Sequence, residues 1–348
     1  MDRENNIDRQ SLAPIAPTAA EGFQLNDTHA AGRVRFAAGG GRPTREIVSR
    51  LSAAVPRWSK EAITYCVVVE GEDPMSLGWD IGGLLAGDRE TAGACLAESY
   101  ALAWQLDCFT KPTIPLIDGL VSNAGVAFTL YGTHRVAGPR YRLGLPAVRD
   151  GWFPDHGLTQ VLSRLPCEIG TYLALTGAQI GRADAYRLGL VTQCIEAAAF
   201  PGIVAQLTDA DPVDPLLDGR HQPQGPGELA PYTDIIAQCF APDQVEAILD
   251  RLGAVTGDAA TWAQATRETI AAAPRLAAAV TLRLLRENRH ADLREAIIRD
   301  FRVATRLLAK PEPMAGPVTP EIVSSLIASL GDRDLQLATR AEMQAPVL

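Results

Sequence analysis

Two short turns carry the residue types and the spacing that could stabilise a charged reaction intermediate. Residues 73–81 follow an apolar segment at 63–69, and residues 118–127 follow another at 114–117. The length and apolar content of both segments predict buried strands, so each turn presents backbone N–H groups at a strand end. Two such turns facing each other would form an oxyanion hole, whose paired donors bind the oxygen that becomes charged during acyl transfer. The alternative is a pair of tight connections without a ligand.

A third turn, at residues 151–157, brings an acid and an imidazole together in the run Gly-Trp-Phe-Pro-Asp-His-Gly. The Asp155 carboxylate could attack a carbonyl carbon or act as a general base on water, with His156 or Asp150 as an assistant. Aspartate is also a favoured helix N-cap, and a helix is predicted to begin near Leu158, so capping is the competing role. The residues alone leave both roles open.

The elements that must position these turns alternate irregularly between strand and helix. Strands are predicted at residues 32–36, 63–69 and 114–117, with a helix at 91–108 between the last two. Residues 242–309 have a helical period, so the fold class is α/β with a helical C-terminal part. The predicted organisation is a flexible tail at 1–24, a core at 25–207, a Pro-, Asp- and Gly-rich linker or lid at 208–235, a helical region at 236–310 and an extension at 311–348.

Composition narrows the possible partners. The net charge of −9 and the pI near 5.2 argue against nucleic acid or an anionic membrane as a ligand. The chain has no apolar run of ~18 residues, the length that predicts a membrane-spanning helix, and no apolar segment typical of a signal peptide near its first residues. Six cysteines without a CxxC pair, mostly in apolar segments, predict free thiols and a cytoplasmic location. The sequence contains no P-loop, no HExxH motif and no Cys/His cluster, so no metal site is predicted.

A series of short motifs runs in a characteristic order along the chain. They are Gly119 to Gly125, His134-Arg135-Val136-Ala137, Leu145-Pro146, the run at 151–155, Ala174-Leu175-Thr176-Gly177 with Ala185, and Gly189-Leu190-Val191. This order resembles the crotonase (enoyl-CoA hydratase/isomerase) superfamily. The run at 151–157 is most similar to the 3-hydroxyisobutyryl-CoA hydrolase branch, in which Gly-Leu-Phe-Pro-Asp-x-Gly is characteristic. The helical residues 242–309 also resemble that branch.

The resemblance implies a ββα spiral core that binds an acyl-CoA thioester, with coenzyme A entering as part of the substrate and no further cofactor. By position, the thioester carbonyl would lie between the backbone N–H groups of Leu77 and Ala124. Arg42 and Arg45 occupy the region where relatives contact the CoA phosphates, although a solvated charged surface is equally compatible with them. Homo-oligomers, trimers or hexamers, are common in the superfamily. The positions assigned to substrate contact are Trp79, Ala127, Ala147, Trp152 and His156.

Two positions depart from the family pattern. Ala127 stands where hydratases carry their first glutamate, and Ala147 stands where hydratases and the hydrolase branch carry the second. Hydration needs a carboxylate pair to hold water and move a proton, and alanine does neither. Asp155 is the carboxylate that remains. By resemblance, the hydrolase branch has an active-site aspartate at this position, and the 4-chlorobenzoyl-CoA dehalogenase branch has a nucleophilic aspartate at a similar position. We therefore predict an acyl-CoA thioester hydrolase in which the carbonyl is attacked by or through Asp155; the alternatives are an enoyl-CoA hydratase/isomerase and a catalytically silent acyl-CoA-binding subunit.

Overall fold

A computed structural model describes residues 23–36, 45–71, 88–309 and 317–345 of the chain. Most of the predicted tail, and the candidate site residues Arg42, Leu77 and Trp79, lie outside these ranges. Within them, no helix is long and apolar enough to cross a membrane, and no group of three or more His, Cys, Asp or Glu side chains is placed to hold a metal ion.

The described strands form two sheets. They are β1 (Phe23–Thr28), β2 (Ala31–Phe36), β3 (Cys66–Gly71), β4 (Thr113–Ile117), β5 (Leu120–Ser122), β6 (Val136–Ala137), β7 (Arg142–Gly144), β8 (Ile180–Gly181) and β9 (Gln193–Cys194). The larger sheet has the order β1-β2-β3-β4-β6-β9, and only its β1–β2 pair is antiparallel. The smaller sheet has the order β5-β7-β8, with β5 and β7 parallel. Central parallel strands are covered on both faces, which is why β3 and β4 are almost continuously apolar.

The helices of the described residues cover the sheets and then continue alone to the C-terminus. They are α1 (Arg45–Lys60), α2 (Arg89–Cys108), α3 (Ala124–Leu130), α4 (Leu158–Ser163), α5 (Ile169–Thr176), α6 (Arg182–Arg187), α7 (Phe200–Thr208), α8 (Val213–Asp218), α9 (Thr233–Cys239), α10 (Val245–Gly253), α11 (Ala260–Ala271), α12 (Arg275–Asn288), α13 (Leu293–Ala309), α14 (Pro320–Ile327) and α15 (Arg340–Met343). Helix α13 packs along α2, and α12 packs against α4, so the helical C-terminal part closes over the turns of the core.

The stretch at 208–235 differs from the prediction of an irregular linker or lid. It contains α8 and a short 3-10 helix at Ala230–Tyr232. Proline is tolerated in the first turn of a helix, where the N–H has no intrahelical acceptor, so Pro215 does not prevent α8. Val213 and Leu217 of this helix are buried against the sheet, and this burial fixes the segment to the core.

Candidate active site

The turn before α3 has an unusual backbone conformation at Asn123. Asn123 has φ 46° and ψ −121°, a conformation costly for a residue with a side chain, and strain of this kind accumulates at functional turns. Ala124 follows as the first residue of α3 and is completely buried. First-turn N–H groups have no intrahelical acceptor, so any acceptor for the Ala124 N–H comes from outside α3.

Asp155 lies in the third turn and is buried, with both carboxylate oxygens engaged by donors. Its Oδ2 accepts hydrogen bonds from Tyr100 Oη at 2.9 Å and Trp152 Nε1 at 3.0 Å. Its Oδ1 lies 2.7 Å from Nδ1 of His156. Helix α4 begins at Leu158 behind a glycine N-cap without a side-chain cap bond, so the competing role of Asp155 as a helix cap does not apply.

The surroundings of Asp155 favour its ionised form. Burial alone raises the pKa of a carboxyl group. Here the charge and hydrogen bond of His156, with the hydrogen bonds from Trp152 and Tyr100, outweigh that effect and hold the Asp155 pKa below its ordinary value. Burial raises the pKa of Tyr100 well above its usual range, and the negative charge of Asp155 raises it further. The phenol therefore keeps its proton and stays a donor.

His156 bridges Asp155 to a serine of helix α2. Its Nε2 lies 2.5 Å from Oγ of Ser99, and both residues are fully buried. The imidazole ring meets Tyr100 edge-on at 4.7 Å between centroids and Phe128 at 6.0 Å. Adjacent side chains often point apart, but the left-handed φ of 59° at His156 turns its ring back onto Asp155. Asp150, the other predicted assistant, is exposed at the end of a 3-10 helix.

A second buried carboxyl group supports the same turn from the C-terminal helices. Asp300 of α13 accepts the Gly157 N–H at 2.6 Å through Oδ2, and its Oδ1 has no hydrogen-bond partner. Burial raises the Asp300 pKa well above its ordinary value, and the negative charge of Asp155 raises it further. Tyr131 donates to the His156 carbonyl at 2.5 Å, so the turn is held from α13 and from the residue that follows α3.

The predicted substrate-contact residues are distributed around this cluster. Trp152 contacts Asp155 directly, and its backbone N–H donates to the Ala147 carbonyl at 2.9 Å. Ala147 is buried in the apolar cluster that contains Tyr100 and Trp152. Ala127 is buried in α3 beside Phe128, whose ring faces His156. These contacts bring Ala147, Trp152 and His156 together with Asp155 and place Ala127 on the neighbouring helix.

Arg45 is the described member of the predicted CoA-binding pair. It is the first residue of α1, and its Nη2 lies 3.1 Å from Oε1 of Glu98 on α2. This ion pair is exposed and involves a single carboxylate, so it contributes little to stability. Arg42, Leu77 and Trp79 lie outside the described residues, so their roles stay predictions.

Sequence reasoning missed Ser99, Tyr131 and Asp300. Ser99 is 57 residues from His156 along the chain, and a serine within a predicted helix gives no local signal of such a contact. Asp300 belongs to an amphipathic helix whose other buried residues are apolar, so its acid was a visible exception to the pattern.

A sequence profile described as enoyl-CoA hydratase/isomerase matches residues 44–323. The chain belongs to the enoyl-CoA hydratase/isomerase family. It is 28% identical over 316 residues to 3-hydroxyisobutyryl-CoA hydrolase, mitochondrial, of Xenopus tropicalis, covering 80% of this chain and 81% of the relative. It is 25% identical over 301 residues to 3-hydroxyisobutyryl-CoA hydrolase 1 of Arabidopsis thaliana, covering 83% and 78%. These similarities confirm the predicted family and the branch that the run at 151–157 indicated.

Solved structures of this family confirm the predicted crotonase fold. A carnitinyl-CoA dehydratase from Mycobacterium thermoresistibile superposes with a TM-score of 0.84 at 24% identity, covering 91% of this chain and 99% of that one. An enoyl-CoA hydratase from Rhodobacter sphaeroides 2.4.1 superposes with a TM-score of 0.81 at 26% identity, covering 91% and 100%. The fold is therefore that of the enoyl-CoA hydratase/isomerase family along nearly the whole chain. That Ala127 and Ala147 occupy the family's glutamate positions stays a prediction.

Proposed function

We propose that this protein hydrolyses an acyl-CoA thioester, as the names of its 3-hydroxyisobutyryl-CoA hydrolase relatives indicate for those proteins. The observation that carries the proposal is the buried Asp155–His156 pair, with Nδ1 and Oδ1 2.7 Å apart. It lies in the turn whose sequence resembles the hydrolase branch. An ionised aspartate in contact with an imidazole is the arrangement of a general base that is held in one orientation.

The contacts of Asp155 favour action through His156 over direct attack on the carbonyl. Three donors occupy the carboxylate, and they lower its basicity and its nucleophilicity together. The same donors fix the carboxylate so that its charge stabilises a proton on His156. In this mechanism the imidazole accepts the proton of the attacking hydroxyl group as its oxygen bonds to the carbonyl carbon. The C–S bond then breaks, and the departing thiolate of coenzyme A takes up that proton from the imidazole.

The oxygen of the thioester carbonyl becomes negatively charged during this attack. We propose that the Ala124 N–H donates to it, together with the N–H of Leu77. A backbone donor does not depend on its side chain, so the residue types at these two positions leave the mechanism intact. Small side chains at Ala127 and Ala147 leave the site without the carboxylate pair that hydration requires, and hydrolysis is therefore favoured over hydration or isomerisation.

The wider setting is proposed on the same basis. Coenzyme A enters as part of the substrate, with Arg45 and Arg42 toward its phosphates, and the reaction uses no other cofactor. A homo-oligomer, trimeric or hexameric, follows from the family resemblance. The six cysteines are free thiols, which supports a reducing, cytoplasmic location.

A substrate screen combined with Asp155→Asn tests this function. Short hydroxyacyl, enoyl and aromatic CoA esters are followed by thiol release and by enoyl absorbance. We expect thiol release by the wild type and a loss on the order of 10³–10⁴-fold in Asp155→Asn, because the amide no longer stabilises the protonated imidazole. CoA-ester affinity should stay within a few-fold of the wild type.

Asp184→Asn is the matched control. Asp184 is also buried and accepts hydrogen bonds, from the backbone N–H of Glu228 at 2.8 Å and Leu229 at 3.2 Å, outside the candidate site. This variant should retain thiol release per folded molecule. Loss of enoyl absorbance without thiol release would show a hydratase, and binding without any turnover would show a silent subunit; either result contradicts the proposed hydrolase.

A further inference from the structure

We propose that Ser99 is the nucleophile of a Ser99–His156–Asp155 triad and carries the acyl group as an ester intermediate. The inference rests on the proposed thioester hydrolysis and names the atom that attacks first. Ser99 Oγ lies 2.5 Å from Nε2 of His156, and Nδ1 of the same ring lies 2.7 Å from Oδ1 of Asp155. A hydroxyl, an imidazole and a carboxylate in this order define nucleophile, base and orienting group by geometry, whatever the fold.

The protonation states follow from the partners of each group. Asp155 is held ionised and therefore only accepts, so Nδ1 of His156 carries a proton. In the neutral ring Nε2 is then an acceptor, and the Ser99 hydroxyl is its donor. This is the tautomer in which the imidazole removes the proton from the serine.

Ser99 donates differently from four other buried hydroxyl residues of the described helices, whereas Thr171, which donates to the Glu168 carboxylate, shares with Ser99 a side-chain acceptor. Thr129, Thr176 and Thr266 each donate to a carbonyl one turn earlier in their own helix, and Ser163 donates to Gln160. That local bond is the ordinary way to satisfy a buried hydroxyl in a helix. Within the described part of α2, Ser99 makes no such bond and is satisfied by His156 instead.

The parts of the triad are fixed in place from several elements. Tyr100 and Trp152 hold the second oxygen of Asp155, while the rings of Tyr100 and Phe128 flank the imidazole. Phe128 lies one turn beyond Ala124 on α3, so the proposed donor turn and the triad lie on adjacent elements. Any chemistry at Asp155 requires substrate to reach a buried cluster, and the proposed nucleophile requires the same access, because Ser99 belongs to that cluster.

The proposed steps balance as an acyl transfer followed by hydrolysis. The Ser99 Oγ–H proton passes to Nε2 of His156 as the Oγ–C bond forms and the C–S bond breaks, and the CoA thiolate leaves with that proton. Water then attacks the Ser99 ester, its proton passes to Nε2, and the Oγ–C bond breaks as Oγ takes the proton back. The products are a carboxylic acid and coenzyme A.

Ser99→Ala tests the role of the hydroxyl, with Ser163→Ala as the matched control. Ser163 is buried in α4 and donates to Gln160, so its removal costs a comparable hydrogen bond outside the triad. We expect thiol release to fall on the order of 10³-fold or more in Ser99→Ala and to stay within a few-fold in Ser163→Ala. Circular dichroism confirms folding of both. If Ser99→Ala keeps wild-type turnover while Asp155→Asn loses it, Ser99 is not the nucleophile. The proposed hydrolase function would then still stand.

Two further measurements test the proposal, the first without any CoA ester and the second with any CoA ester that the protein turns over. An alkyl fluorophosphonate should label the wild type at Ser99, as read by peptide mass spectrometry, and the label should be lost in His156→Gln; a wild type that stays unlabelled overturns the proposal. Turnover in ¹⁸O-water should place the isotope only in the released acid. Isotope in the Asp155 carboxylate would show attack by that residue and overturn the triad. Labelling of Ser99 without thiol release from any CoA ester would support the nucleophile and contradict the proposed CoA-thioester substrate.

Discussion

Asp155 of the turn at 151–157 and Asp300 of α13, which contacts that turn, are both buried carboxyl groups. Their surroundings move their pKa values in opposite directions. Asp155 has three donors, one of which is the neighbouring imidazole, and its pKa is lowered. Asp300 has one donor, the Gly157 N–H, and its pKa is raised by burial and by the Asp155 charge. Pairs separated in this way mark which acid is ionised and which keeps its proton. At the residue scale, Asp155 is therefore the more acidic member of the pair, and Asp300 is the less acidic one.

The raised pKa of Asp300 predicts a pH-dependent stability that Asp300→Asn removes. A carboxyl group whose pKa is higher in the folded state stabilises the fold at low pH, and that contribution is lost as the pH rises through the folded pKa. The neutral amide keeps an acceptor for Gly157 and needs no proton. We expect Asp300→Asn to gain stability relative to the wild type as the pH rises from 5 to 8, by on the order of 1–2 kcal/mol at pH 8. Urea unfolding at each pH measures this difference, and parallel pH curves for the two proteins would contradict it.

At the element scale, the turn at 151–157 depends on Gly157, which α13 and Tyr131 approach closely. Gly157 has φ +79°, and a Cβ there would lie 2.4 Å from Leu293 Cδ1 of α13 and 2.9 Å from Tyr131 Oη. Gly189 provides a comparison, since it has φ +72° with nothing within 4 Å of the same built atom. The two positions separate the cost of a left-handed backbone from the cost of a steric clash.

Gly157→Ala should therefore be far more damaging than Gly189→Ala. We expect Gly189→Ala to cost about 1 kcal/mol of unfolding free energy, the backbone contribution alone. Gly157→Ala adds displacement of α13 and of Tyr131, and we expect a further loss of about 1–3 kcal/mol. It should also lower thiol release per folded molecule, because Tyr131 and Asp300 hold the carbonyl of His156 and the N–H of Gly157. Equal losses of stability in chemical denaturation would contradict the close approach.

The same elements show what the sequence could and could not predict. Strands β3 and β4 were predictable because buried strands appear in the sequence as apolar runs. Helix α2 was predictable because its apolar residues recur at helical spacing. The motif at 151–157 located Asp155 and His156 for the same reason, since its information is local. Ser99 was not predictable, because its assignment depends on a tertiary contact 57 residues away. Helix α8 was hidden because Asp-Pro pairs are typical of loops, although Pro215 occupies a position where helices accept proline.

At the scale of the whole molecule, the helical C-terminal part is tied to the core by a half-buried ion cluster. Glu168, in the 3-10 helix Pro166–Glu168, lies 2.8 Å from Arg286 Nη1 and 2.7 Å from Arg289 Nη2 at the end of α12. Burial alone would raise the Glu168 pKa, but the hydrogen bonds from Arg289 and Thr171 and the charge of Arg286 lower it. Because α13 also carries Asp300 to the site, core and C-terminal helices should unfold together.

Glu168→Gln tests this coupling. Removing the shared carboxylate leaves two partly buried guanidinium groups with a weaker acceptor, so we expect a loss of about 2–3 kcal/mol in unfolding free energy. The stability that Glu168 contributes is present above its unfolded pKa and is lost as the pH falls through its lowered folded pKa, so the gap between variant and wild type should narrow in acid. Urea unfolding followed by far-ultraviolet circular dichroism and by tryptophan fluorescence should give one coincident transition in both proteins. A separate early transition in the variant would show that the helical region detaches from the core on its own. In that case Asp300 would leave Gly157 before the core unfolds, and thiol release would be lost at the first transition rather than at the second.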